Sequence, residues 1–90
     1  MAHHQHMNCY VYKSRRKPDT YVYLRADDAG AGLPETIRQL LGPLERVMAL
    51  ELHAGRKLAR ENVLAVMASL DRQGFHLQLP PADPALAGVS

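Results

Sequence analysis

Two short runs of strict alternation, Cys9-Tyr10-Val11-Tyr12 and Tyr21-Val22-Tyr23-Leu24, constrain this chain more than any other feature. Period-two alternation of aromatic and β-branched residues is the signature of a strand. The basic stretch Lys13-Ser14-Arg15-Arg16-Lys17-Pro18 between them reads as a hairpin connection, with a loop at about Arg15 to Pro18. Keeping like with like places Tyr12 opposite Tyr21 and Tyr10 opposite Tyr23. Cys9, Val11, Val22 and Leu24 then share one apolar face, and all four tyrosines of the chain share the other.

Downstream, Asp27-Asp28-Ala29-Gly30-Ala31-Gly32 reads as a loop. Pro34 opens a short helix carrying Leu33, Ile37, Leu40 and Leu41, which Gly42-Pro43 closes. Leu44 to Leu52 is apolar on most of both faces and reads as a central strand. From about Ala59 to Gln73, Val63, Val66, Met67 and Leu70 form a helical stripe, with Gly74 as its cap. Phe75 to Leu79 alternates again and stops at Pro80-Pro81. The expected fold is a single small α/β domain of the α+β type, in the order β-β-α-β-α-β, with about four strands packed with two helices. Its expected core comprises Cys9, Val11, Val22, Leu24, Ile37, Leu40, Leu41, Met48, Leu50, Leu52, Val63, Val66, Met67, Leu70, Phe75, Leu77 and Leu79.

Ninety residues suffice for one modest core without staples. The lone Cys9 excludes an intrachain disulfide and suits a reducing compartment, and no apolar run approaches the length of a membrane span. A cytoplasmic location is expected. Residues 1–6 read as a degraded polyhistidine tag or extended start, set apart from the domain of residues 7–81, and residues 82–90 as a mobile tail.

Several blocks resemble the YcgL family of small bacterial proteins. They are Cys9-Tyr10-Val11-Tyr12-Lys13-Ser14, Asp19-Thr20-Tyr21-Val22-Tyr23-Leu24, Asp27-Asp28, Pro34-Glu35, Leu41-Gly42, Met48-Ala49-Leu50, Arg56-Lys57-Leu58-Ala59 and Gln73-Gly74-Phe75-His76-Leu77-Gln78-Leu79-Pro80-Pro81. The resemblance spans Met7 to Pro81. It implies an α/β domain and no particular activity, and the family's genomic proximity to a ribonuclease D gene points toward RNA. Similar chains carry Phe where this one has Ala29, which implies a looser connection to the first helix.

On the expected faces, Tyr10, Tyr12, Tyr21, Tyr23, Glu51, His76 and Gln78 form an aromatic and polar platform beside the basic loop Lys13, Arg15, Arg16 and Lys17, which Arg56 and Lys57 could extend. Bases stack on such rings while cations follow phosphates, although cross-strand tyrosine pairs also stabilise hairpins on their own. The expected function is therefore a non-enzymatic binding module for RNA or for a protein of RNA metabolism, needing no cofactor and no metal. Asp27-Asp28 lacks the ligand spacing of a calcium loop. Cys9 is expected in the core, out of reach of His76. A monomer is the expected state, and two alternatives stand beside the binding module: a small hydrolase or transferase around His76, Glu51 and Arg56, and a homodimer through the open sheet face or an edge strand.

Overall fold

In the computed structural model, which describes residues 6–58 and 61–80, the elements run β1 (Met7–Ser14), β2 (Tyr21–Leu24), α1 (Glu35–Leu41), β3 (Leu44–Leu52), α2 (Val63–Gln73) and β4 (Phe75–Gln78). The strands form one antiparallel sheet in the order β3-β1-β2-β4. The order of elements and the α+β class are those the sequence implies. The tail expected over residues 82–90 lies outside the described residues, as does nearly all of the segment 1–6. His6 alone of that segment is described, and it reaches the domain through Glu51 at 2.9 Å.

The hairpin register differs from the like-with-like pairing by one residue. Tyr10 lies opposite Leu24, Val11 opposite Tyr23, Tyr12 opposite Val22 and Lys13 opposite Tyr21. The loop sets this register. The Ser14 amide donates to the Thr20 carbonyl at 2.9 Å, so Ser14 closes the ladder on Thr20 rather than on Asp19. The buried Ser14 hydroxyl accepts from the Arg16 and Lys17 amides at 3.1 and 2.8 Å and donates to the Leu41 carbonyl. Asp19 adopts φ 57° to complete the turn, a conformation Asp tolerates better than most residues.

The shifted register is viable because a helix packs on each face of the sheet, so aliphatic and aromatic side chains find cover on either side. On one face, α2 buries Val63, Val66, Met67 and Leu70 against Cys9, Val11, Tyr23 and Leu52. On the other, α1 and the preceding loop bury Leu33 and Leu41 against Tyr12, Val22 and Leu24, with Tyr10, Ile37, Phe75 and Leu77 packed around them. Cys9 and Val11 are thus separated by the sheet from Val22 and Leu24.

The helices end where their caps dictate. Asn62 accepts from the Ala65 amide and starts α2 at Val63, later than the periodicity from Ala59 suggests. Gly42 ends α1 at φ 65°, and a Cβ there would sit 2.9 Å from the Arg16 side chain that crosses it.

β3 is an edge strand, not the central one its composition implies. A bulge at Val47, opposite the step from Val11 to Tyr12, offsets its pairing with β1. Met48 is consequently exposed, as are Leu40 and Leu79, although all three fit the core pattern of the sequence. Tyr12, Tyr23 and Leu33 are buried in their place.

Candidate functional site

The register decides where the tyrosines go, and it divides them between two faces. Tyr10 and Tyr12 lie on the α1 face, while Tyr21 and Tyr23 lie on the α2 face. A platform of four rings on one surface does not exist. Tyr12 and Tyr23 keep only 5% and 6% of their surface, so neither offers a ring for stacking. Each spends its hydroxyl internally: Tyr12 on Asp27, and Tyr23 on Gln78 Oε1 at 2.8 Å. Tyr10 is half-buried with the Arg46 guanidinium 5.8 Å above its ring.

On the α2 face the helix covers only part of the sheet. Beyond it lies an open groove of about 410 Å³, floored by Val11, Tyr21, Tyr23 and Leu50 and rimmed by Val47 and Met48. The connector after β3 supplies Arg56, Lys57 and Leu58, and β4 supplies Gln78. The volume falls in the range of ligand clefts. Tyr21, Tyr23, Arg56, Lys57 and Gln78, all candidates from the sequence, therefore meet in one cavity. Tyr21 is the half-buried ring among them, and Lys13 lies directly across the ladder from it. Arg56 Nε is buried with no hydrogen-bond partner among the described residues, a donor that a ligand or water can satisfy.

The remaining basic residues serve the hairpin as much as any partner. Arg16 donates to the Gln39 carbonyl at the end of α1, where a cation complements the helix dipole. Lys13 stands 4.0 Å from Glu45. Arg15 and Lys17 are exposed side chains whose backbone amides are bonded to the Pro43 carbonyl and the Ser14 hydroxyl. They point a cationic loop into solvent and do not line the groove.

His76, Glu51 and Arg56 do not assemble. His76 lies on β4 and Glu51 on β3, at opposite edges with two strands between them. Glu51 also pairs with Asn8, whose side chain faces away from Cys9 and the α2 side. His76 instead contacts Ser69 Oγ at 3.0 Å and Glu61 Oε1 at 2.7 Å, forming a Ser-His-Glu chain absent from the sequence-based expectations. Its members are scattered over a loop, a helix and a strand, so no local motif announces it. Ser69 sits inside α2, where neighbouring amides are spent on the helical ladder and cannot form an oxyanion hole. The chain is a clamp between α2 and β4.

Cys9 is fully buried beneath α2, and burial raises its thiol from 9.0 to about 11 despite the opposing field of Arg56. At neutral pH it is a protonated core residue rather than a nucleophile. Among the described residues, no cluster of His, Cys, Asp and Glu can hold a metal ion.

Comparison with known proteins matches residues 9–81 to the YcgL domain model. The chain belongs to the YcgL domain family. A YcgL domain-containing protein of Thioalkalivibrio sulfidiphilus is 49% identical over 75 residues, covering 83% of this chain and 93% of the relative. One from Xanthomonas oryzae pv. oryzae is 45% identical over 74 residues, covering 82% and 86%. A third, from Ectopseudomonas mendocina, is 41% identical over 75 residues, covering 83% and 77%.

In this YcgL domain the loop after β2 is held without an aromatic at Ala29. The Asp27 carboxylate accepts from the Tyr12 hydroxyl and from Arg46 Nε at 3.1 Å, and Asp28 accepts from the Gly30 amide at 3.0 Å. The bonds from Tyr12 and Arg46 hold the Asp27 carboxyl below its usual range, and the bond to Asp27, with burial, raises Tyr12 because its proton is committed to Asp27. The polar anchor stands where the resemblance implied a looser connection. No helix among the described residues is long and apolar enough to cross a membrane.

Proposed function

We propose that this YcgL domain is a non-enzymatic binding module whose contact surface is the groove on the α2 face, with single-stranded RNA as its partner. The observation that carries the reading is the meeting of Tyr21, Arg56 and Lys57 in one open cleft, with Lys13 beside it. A base laid on the Tyr21 ring brings its phosphates toward Lys57, Lys13 and the Arg56 guanidinium. The exposed Arg15 and Lys17 extend the positive potential along the hairpin. With Tyr21 the one available tyrosine ring on this face among the described residues, the stacking contribution is one base, about 1–3 kcal/mol. Binding therefore depends on charge and weakens steeply with salt. A cytoplasmic setting suits the buried, reduced Cys9 thiol.

A protein of RNA metabolism is the second partner class, and the apolar groove rim of Val47 and Met48 is what favours it. Fluorescence anisotropy of a labelled oligouridylate at several salt concentrations tests the primary reading. Arg56→Ala with Lys57→Ala is expected to weaken binding and to flatten the logarithmic salt slope by about 0.7 for each phosphate that is no longer neutralised. Tyr21→Ala is expected to weaken affinity without changing the slope. An oligonucleotide that fails to bind even at low salt would remove RNA as the ligand.

A further inference from the structure

The groove leaves one prominent feature unexplained, the outer edge of β3. That strand is nine residues long and, among the described residues, pairs with β1 on one side only. Among the described residues, no backbone hydrogen bond outside the sheet ladder reaches Glu45 to Glu51. Edge strands that must stay single are commonly short or protected by Lys or Pro. The opposite edge, β4, is short at four residues. Leu44 to Leu52 contains neither Lys nor Pro and exposes Val47 and Met48 at 41% and 46%.

The strand does carry charges and a bulge, the other common protections, but their placement is self-complementary. In an antiparallel pair with a second copy, a two-fold axis at Ala49 sets Met48 opposite Leu50 of the second copy on the α2 face. Because Val47 is the extra residue of the bulge, Arg46 rather than Val47 then shares a face with Glu51 of the second copy. Symmetry makes this opposite-charge pair twice. An axis at Met48 would place Ala49 against Arg46, and one at Leu50 would place Ala49 against Glu51, so neither brings Arg46 to Glu51. Only the Ala49 axis joins opposite charges and leaves a small side chain where the two strands cross. Arg46 can serve both partners, since its guanidinium has five N–H donors and Asp27 occupies Nε.

We infer that β3 is a self-association edge, on which two copies of this chain pair antiparallel about Ala49 into one continuous sheet. The contact is a single strand pair, smaller than the interfaces of stable dimers, so association is weak and concentration-dependent. Both grooves open on the α2 face, and the joined sheet sets them side by side across the new strand pair. The inference rests on the edge and its charges and does not require the groove's ligand to be RNA.

Sedimentation velocity of the full chain at micromolar and millimolar concentrations tests it, with amide hydrogen exchange measured at both. The expected result is a shift toward dimer at the higher concentration, with added protection confined to Leu44–Leu52. Met48→Lys, at an exposed position, and Glu51→Arg, which sets Arg46 against an arginine, are each expected to weaken association roughly tenfold. The double swap Arg46→Glu with Glu51→Arg is expected to recover it. Circular dichroism checks that each variant is folded, and Met48→Lys decides the question even if the swap perturbs the Asp27 loop. A wild-type chain that stays monomeric at millimolar concentration overturns the inference. So does association that both single variants leave intact, because it would then use another surface.

Discussion

The two faces of the sheet are closed by different physics. On the α2 face an eleven-residue helix with an Asn62 cap presents a continuous apolar stripe, and Val66 and Leu70 lose all solvent contact. On the α1 face the helix is seven residues long and has no side-chain cap, and a polar node does what the helix cannot. Tyr12, Arg46 and Asp27 tie the loop to the sheet. The comparison shows why the open groove lies where it does. A helix covers a fixed stripe and leaves the sheet beyond it bare, whereas a loop can be drawn over whatever remains.

The contrast is broken most forcefully by truncating each core. Leu70→Ala and Leu41→Ala are each expected to cost about 2–5 kcal/mol in urea unfolding, with Leu70 at the upper end because its neighbours on a rigid helix collapse least. Equal costs would mean that the short helix packs as firmly as the long one.

Removing one hydroxyl from each face comes next. Tyr23→Phe is expected to cost about 1 kcal/mol, and Tyr12→Phe more, because Tyr12 donates to a charged carboxylate and Tyr23 to an amide oxygen. The reverse order would deny the polar node its role.

The pH dependence separates the faces further. Cys9 has its folded value raised from 9.0 to about 11, so its contribution is present below pH 9 and is lost as pH rises toward 11. Melting temperature is expected to fall across that window, and less steeply in Cys9→Ala. Tyr12, also raised, acts in the same direction. Asp27 is lowered, so its contribution is present above the ordinary carboxylate range and lost as pH falls through its folded value. Asp27→Asn is expected to remove that part of the acid-side slope.

The smallest effect is at Ala29, which adopts φ 57° in the pinned loop. Glycine there relieves the left-handed strain but loses more entropy on folding, so Ala29→Gly is expected to stabilise by about 0.5 kcal/mol, read as a small rise in melting temperature.

Much of the fold is legible in one dimension. Alternation locates β1, β2 and β4, the Pro34 and Gly42 punctuation locates α1, and the family blocks agree with both. The site is legible in part. Residue type marks Tyr21, Arg56, Lys57 and Gln78, but the structure does not give them the company of Tyr10 and Tyr12. The Ser69-His76-Glu61 clamp carries no local signal, because its members meet only after α2 folds onto β4. β3 reads as central because exposed Val47 and Met48 look the same as buried ones in a string of letters.

The sequence by itself determined the elements, their order and the family, since periodicity and punctuation are local properties that each segment carries alone. Only the tertiary structure decided the hairpin register, the edge position of β3 and the faces of the tyrosines. Those outcomes depend on what covers each side of the sheet. Once a helix lies on both sides, aromatic and aliphatic side chains are equally welcome on either, and the pattern no longer chooses between registers. The choice then falls to the Ser14 and Thr20 hydrogen bond that closes the loop.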